Sequence, residues 1–326
     1  MLKISTQLLV DEALRRGWKA EPLDDTFLST VAITPKDGRV YYFESIQPPL
    51  TSAAAMKIAD NKLATYLIAQ KLGIPVAEFT MYNPAAQNRT YDFLEAHRKN
   101  GHQIVVKPID TNHGDGITVG VKNREELEDA LVFAKKHSSQ ILLQRRYYGY
   151  DYRVIVVDGK VVAAAKRTPA HVVGDGEHTV SQLITIENQR PERGKGHDSA
   201  LSVIDTLGAQ RFLGRAAFER VPQKGEDVSV LGMANLSRGG DATDVTDDIH
   251  ESFKNAAVKI ASSLDMLVCG VDFLVQDHKS LFDASNGILL EINATPGVRM
   301  HHYPSYGKKR DVVKTILDAF EAKIAG

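Results

Sequence analysis

The chain has 326 residues, 43% of them hydrophobic and 25% charged, with a formal net charge of −1. That is room for one large multilayer domain or two to three small ones with an ordinary core, and the balanced charge gives no bulk attraction to nucleic acid or an anionic membrane. A single cysteine, Cys269, excludes an intramolecular disulfide and a cysteine-based zinc cluster; the charged opening MLKISTQLLVDEALRRGWK is no signal peptide and no apolar run reaches about eighteen residues, so a reducing, cytoplasmic setting is expected.

In chain order, LLVDEALRRGW has the spacing of a short amphipathic helix. VAITPKDGRVYYFES reads as two strands around a Lys-Asp-Gly turn. TSAAAMKIADNKLATYLIAQKLGI is helical, with Asp60 or Asn61 as a restart cap and Gly73 as a stop. TYDFLEAHRKNG is a helix, QIVVKPI a strand, Asp110 to Gly116 a loop and TVGV a strand. NREELEDALVFAKKH is a helix capped by Asn123, with Glu125, Glu126 and Glu128 loading its first turns as the helix dipole favours. ILLQRRY is a strand, and YRVIVVDGKVVAAAKR is a hairpin of two β-branched runs around Asp-Gly.

A long polar section follows, roughly Thr185 to Gly225, of the kind expected to be functional or mobile. HESFKNAAVKIASSLDM is a helix, VCGVDFLVQD and GILLEINA are strands expected to pair, and KKRDVVKTILDAFEAKIA is a closing helix. The sum is an α+β protein of at least two lobes, breaking near Gln144: a short N-terminal segment (1–56), a first lobe (57–143) and a second (144–326).

Three groups of residues carry chemistry. In VVKPIDTNHGDGITVGV, Lys107 precedes a loop holding Gly114 and Gly116. Glycines let backbone N–H groups approach anionic oxygens, and a hairpin whose loop needs positive φ explains them equally. His113 in that loop could touch a phosphate or make a local contact.

Strand alternation puts Asp272 on one face with Gly270 and Leu274, and Glu291 on one face with Asn293. If the two strands are antiparallel neighbours, three oxygen-bearing side chains converge, a set that suits Mg²⁺; for any one acid, a solvated strand face is the simpler reading. Arg153, Lys166, Arg167 and Arg238 form the third group, at strand ends and beside a Gly-Gly turn. Each alone reads as a surface charge, whereas arginine's planar fork pairs well with carboxylate or phosphate. His301 and His302 are adjacent and point apart, a poor zinc pair, so a polar rim near a substrate is expected. Cys269 is expected to be buried packing.

As an ordered set, ADNKLAT, VVKPIDTNHGDG, GYDYRVIVVDGKVVAAAKRTPAHVVGDGEHTV, RGKGH, ANLSRGG, CGVDFLV and EINATPGVRMHHYPSYGKKRDVV resemble the ATP-grasp superfamily. Within it they are similar to the glutathione-synthetase-like ATP-grasp half of cyanophycin synthetases, with the ATP-grasp module of bifunctional glutathione synthetases a near second. The resemblance runs from about Ala59 to Val312. It implies two α+β subdomains clasping ATP, and a reaction in which a substrate carboxylate takes the γ-phosphate and an amine then displaces phosphate to form an amide.

By that resemblance, Lys62 and Lys107 are the ATP-phosphate lysines, and Gly114 and Gly116, with His113, lie in the loop over the phosphates. Gln144 is at the adenine hinge and Asp151 reaches the ribose, with Tyr147 a further ATP-binding candidate. Asp272, Glu291 and Asn293 hold Mg²⁺ (two ions, with Mn²⁺ as an alternative), and Arg238 steadies phosphate or acyl phosphate; Arg167 and Arg153 join it as catalytic candidates on the reading of the residues alone. The expected partners are an amino-acid or peptide carboxylate and an amine, with self-association left open.

Two positions depart from the pattern. Gln144 stands where a glutamate usually accepts from the adenine amino group, and Lys166 where an acidic residue is frequent. The first 55 residues are too short for the Mur-ligase-like half of a cyanophycin synthetase or the glutamate–cysteine ligase half of the bifunctional enzyme, so neither polymer nor glutathione synthesis is implied. A glutathione-type synthetase and a nucleotide-binding module without ligase activity remain the alternatives.

Overall fold

The structure is a computed structural model that describes residues 2–24, 29–111, 115–194, 201–232, 234 and 236–325. Helix α1 (Ile4–Arg15) is followed by strands β1 (Lys19–Pro22), β2 (Thr30–Thr34) and β3 (Tyr41–Glu44), an antiparallel meander. The predicted Lys-Asp-Gly turn joins β2 to β3. Helices α2 (Ala53–Ala59) and α3 (Lys62–Lys71) are separate because Asn61 is extended, and its side-chain oxygen accepts from the Ala64 N–H to start the second one.

Next come β4 (Phe79–Met81), α4 (Gln87–Lys99), β5 (Ile104–Pro108), β6 (Thr118–Val121), α5 (Arg124–Lys135) and β7 (Ile141–Arg145). They form a four-stranded antiparallel sheet, β4-β7-β5-β6. Ile104, Val106, Ile141 and Leu143 point to α4 and α5 and make one apolar cluster with Leu94, Leu127 and Leu131. Alternation sends Lys107 and Gln144 to the other face.

Strands β8 (Tyr150–Val157) and β9 (Lys160–Thr168) are the predicted hairpin. Asp158 and Gly159 both take positive φ, 45° and 70°, as a two-residue primed turn requires. The polar section after it carries regular elements of its own, which its composition does not show. It folds as β10 (His171–Val173), α6 (Val180–Asn188), β11 (Arg193–Gly194), β12 (Leu201–Ser202), α7 (Thr206–Phe218) and β13 (Asp227–Ser229). Val172, Ile184, Ala209, Phe218 and Val230 give this excursion its own small core, so scattered apolar positions outweigh its polar average.

The chain then returns as β14 (Asp241–Asp244), α8 (Glu251–Ser263), β15 (Val268–Val275), β16 (Gly287–Asn293), α9 (Arg299–His302) and α10 (Val312–Ala325). The five-stranded sheet is β14-β9-β8-β15-β16. One face, with Val154, Val156, Val271, Phe273 and Leu289, packs on α8 and on α2 and α3. On the other, Ile155, Val157, Ala163 and Val268 pack under α1, α10 and the N-terminal meander. Further along the same face, register alignment brings the charged residues of β8, β9, β15 and β16 together. Among the described residues no helix is long and apolar enough to cross a membrane.

Candidate functional site

Strands β15 and β16 are antiparallel, with Asp272 opposite Glu291 and Gly270 opposite Asn293. The condition for convergence of the three side chains is therefore met. Gly270 is needed here: a Cβ on it would lie 2.8 Å from the Pro296 Cβ and 3.6 Å from the Arg153 Cδ. The Thr-Pro-Gly turn that ends β16 thus folds back over the same face.

Asp272 is fully buried and its carboxylate is already engaged. Arg153 donates to both oxygens, Nε to Oδ1 at 2.7 Å and Nη2 to Oδ2 at 2.6 Å. The Arg167 Nη2 adds a third bond to Oδ2 at 2.7 Å and also pairs with Asp151, its Nε donating at 2.8 Å. Burial works against ionisation of Asp272, but the two guanidiniums prevail and hold its pKa at about 2. Asp151 goes the other way: burial pushes it up to about 6 despite Arg167. Arg153 and Arg167 are thus not surface charges; both are committed to carboxylates of this face.

Glu291 keeps 31% of its side chain exposed, with an oxygen 3.9 Å from the Lys62 Nζ. Lys62 is buried at the start of α3 and donates to the Thr111 carbonyl. Lys107 is buried on β5 and donates to the Tyr66 hydroxyl at 2.9 Å. Burial pushes Lys107 down to about 8, against the pull of Glu291, and lowers Lys62 as well. Both ammonium groups therefore lie in a desolvated cleft between the two sheets, beside the acidic edge strand β16.

Tyr66 was not legible as a site residue. Its hydroxyl donates to the Leu290 carbonyl at 2.8 Å and reaches the Gln144 Oε1 at 3.4 Å, besides accepting from Lys107. One phenol thus ties α3, both sheets and the lysine. The available signal is its spacing four residues after Lys62 on one helix, which puts both on the same face. Gln144 is 3% exposed and faces this cleft. Tyr147, half-buried past the end of β7, donates to the Ser285 carbonyl at 3.0 Å. Lys166 sits over the Tyr150 ring, 3.6 Å from its centroid.

Gly116 has φ 74°, and a Cβ there would lie 2.8 Å from the Pro108 Cγ, so positive φ and packing account for it. His113 and Gly114 lie outside the described residues, as does the centre of the RGKGHDS stretch. Arg238 ends a 3₁₀ turn, Leu236–Arg238, is exposed and makes no ion pair among the described residues. His301 is 2% exposed and among the described residues neither of its ring nitrogens has a partner, while His302 is half-buried and its Nε2 accepts from the Val313 N–H at 3.3 Å. Burial pushes His301 down to about 3, so it is neutral.

The residues fit a hard cation. Asp272, Glu291 and the Asn293 side-chain carbonyl are oxygen donors on adjacent strands. No group of three or more His, Cys, Asp or Glu gathers among the described residues, so the amide oxygen and ligand oxygens are needed to complete a shell.

Two family models match the chain: the ATP-grasp domain of prokaryotic glutathione synthetase over residues 72–177, and the RimK-like ATP-grasp domain over 216–319. The cyanophycin synthetase of Nostoc sp. (strain PCC 7120 / SAG 25.82 / UTEX 2576) is 37% identical over 96% of this chain and 34% of its own length. The glutathione biosynthesis bifunctional protein of Clostridium perfringens is 31% identical over 97% of this chain and 41% of its own length. The chain thus spans about a third of the first of these and two fifths of the second. Among solved structures, the bifunctional glutathione synthetase from Pasteurella multocida superposes with a TM-score of 0.72 at 28% identity, over 98% of this chain and 44% of that one.

Proposed function

This chain belongs to the ATP-grasp superfamily, and from that premise we propose that it is an ATP-dependent carboxylate–amine ligase forming an amide through an acyl phosphate. The observation that carries the reading is the convergence of Asp272, Glu291 and Asn293 across from Lys62 and Lys107. The two lobes would clasp the nucleotide, with their boundary past the end of β7 at Arg145 rather than at residue 144, because Gln144 and Arg145 pair within the first sheet. Gln144, Tyr147 and the half-buried Leu274 and Leu290 would receive the base and Asp151 the ribose.

Phosphoryl transfer asks a protein mainly for positioning and charge neutralisation. Asp272, Glu291 and Asn293 would hold Mg²⁺, which would supply positive charge to neutralise the phosphates. Lys62 and Lys107, already desolvated, give full-strength ammonium contacts to the phosphates once charged. Arg238 is exposed at a fixed turn and would meet the migrating phosphoryl group. Arg153 and Arg167 keep Asp272 ionised and oriented. The amine then attacks an already reactive acyl phosphate, for which no general base is assigned.

The curated relatives make an amino-acid or peptide carboxylate and an amine the favoured substrate class, cyanophycin-synthetase-like with a glutathione-type dipeptide ligase next. ATP supply makes the cytoplasm the proposed setting. ADP release measured across a panel of amino acids and peptides, with product identification, tests the reading. An amide with ADP and phosphate supports it. A stable phosphorylated product means a kinase, and no turnover with any acceptor means a nucleotide-binding module.

A further inference from the structure

The Arg238 side chain is exposed and makes no ion pair among the described residues, and the backbone beneath it is held from several sides. The Leu236 carbonyl accepts from the Arg299 Nη2 at 3.2 Å. The Arg238 carbonyl accepts from the Asp205 N–H at 3.3 Å, and the Gly239 carbonyl from the Arg193 Nη1 at 3.1 Å. Gly239 has φ 99°, and a Cβ on it would sit 2.6 Å from the Ile204 Cα, so the turn is pressed against that segment in a conformation only glycine takes easily.

The two arginines share an anchor. Arg193 also donates to the Ser202 carbonyl at 2.8 Å, and Arg299 to the Ser202 hydroxyl at 3.1 Å. Both are buried, 7% and 8% exposed. Arg193 is oriented by Glu187, its Nε donating at 3.0 Å. Arg299 stands on α9, just past the Thr-Pro-Gly turn whose proline packs at Gly270 beside Asp272. A continuous path of contacts therefore runs from the acid-bearing strands through Pro296 and α9 to the turn that presents Arg238.

We propose that Arg193 and Arg299 are positioning residues that fix the Leu236–Gly239 backbone so that Arg238 meets the migrating phosphoryl group. This rests on the ligase reading above. A guanidinium suits the task because its rigid fork can bond two carbonyls from different segments at once, which a lysine cannot reproduce with the same geometry. Misplacing a charge-stabilising group by about 1 Å can cost on the order of 100-fold in rate, so the clasp acts on kcat rather than on nucleotide binding.

The test is steady-state kinetics of the whole chain with its best acceptor, for Arg193→Gln, Arg299→Gln and Arg238→Ala, singly and in pairs, with melting temperatures. Each clasp variant is expected to lower kcat about 10- to 100-fold with KM for ATP within about twofold. On the Arg238→Ala background the same changes are expected to cost less than about twofold more, because the group they position is gone. Arg193→Lys and Ser202→Ala, milder changes, are expected to lose less than the glutamine variants and serve if those fail to fold.

Full additivity with Arg238→Ala, or loss of activity that tracks unfolding alone, overturns the positioning role and leaves the ligase reading standing. Normal kcat in Arg238→Ala overturns the assignment of Arg238 itself, and the clasp with it.

Discussion

On strand β8, Ile155 and Val157 lie on the same face as Asp151 and Arg153, yet the two halves of that face have opposite fates. The first pair is sealed by α1, α10 and the N-terminal meander, where the Phe320 ring packs edge-on to Phe43, Tyr41 and Trp18 at centroid distances of 4.9, 5.0 and 6.4 Å. The second pair meets Asp272 and Arg167 in a buried network of charges. One pleat thus builds a core where apolar helices cover it and a reactive surface where they do not. Non-directional burial holds the first, and directional charge-assisted hydrogen bonds hold the second.

Asp272→Asn should break the charged half most severely. The buried Arg153 loses its counter-ion and Arg167 is left with Asp151 alone, a break that typically costs about 3–5 kcal/mol, and turnover should fall by at least the order of 10²–10³ seen when one electrostatic contact is removed. ADP-release rates and urea unfolding check both. Glu291→Gln sharpens the contrast: with 31% of the side chain exposed, it should lose turnover on the order of 10²–10³ while its unfolding midpoint stays near that of the parent. Near-normal activity in both variants would refute the metal assignment.

Phe320→Ala tests the apolar half. It should cost about 3–5 kcal/mol of stability, with kcat per folded molecule unchanged because no charged contact is touched. A large kcat effect at low temperature would show that the two halves are mechanically coupled.

Lys107 adds a pH dependence. Its folded pKa of about 8 lies below the ordinary 10.5, so between those values the unfolded chain binds the extra proton and stability rises with pH. The cost of burying the charged ammonium is fully present below about pH 8. Lys107→Met should therefore be more stable than the parent at pH 7, and the gap should shrink by pH 10 in denaturant titrations; an unchanged gap would show that Lys107 is not desolvated. Tyr66→Phe is the mildest change. It removes the hydroxyl that bridges Lys107 and the Leu290 carbonyl, for about 1 kcal/mol of stability.

Much of this was legible from local pattern. The Asp-Gly hairpin, the Asn61 and Asn123 caps and the alternation on β15 and β16 all follow from rules that span a few residues. The elements of the excursion between β9 and β14 are not legible because its apolar positions are spread through a polar sequence and gain meaning only when Val172, Ile184 and Phe218 meet. The burial of His301 is not legible for the same reason, since neighbours distant in sequence decide it.

The sequence by itself determined which residues share a face, because side-chain direction alternates strictly along a strand, and the ordered motifs were enough to mark the superfamily. Only the tertiary structure decided what those faces meet. Whether Asp272 faces water, a metal or two arginines depends on the register of β8 and β9 against β15. Whether Arg238 is held by Arg193 and Arg299 depends on where α9 and the excursion come to rest. Those pairings join residues far apart in the chain, and their energies come from burial and charge that exist only once the strands have assembled.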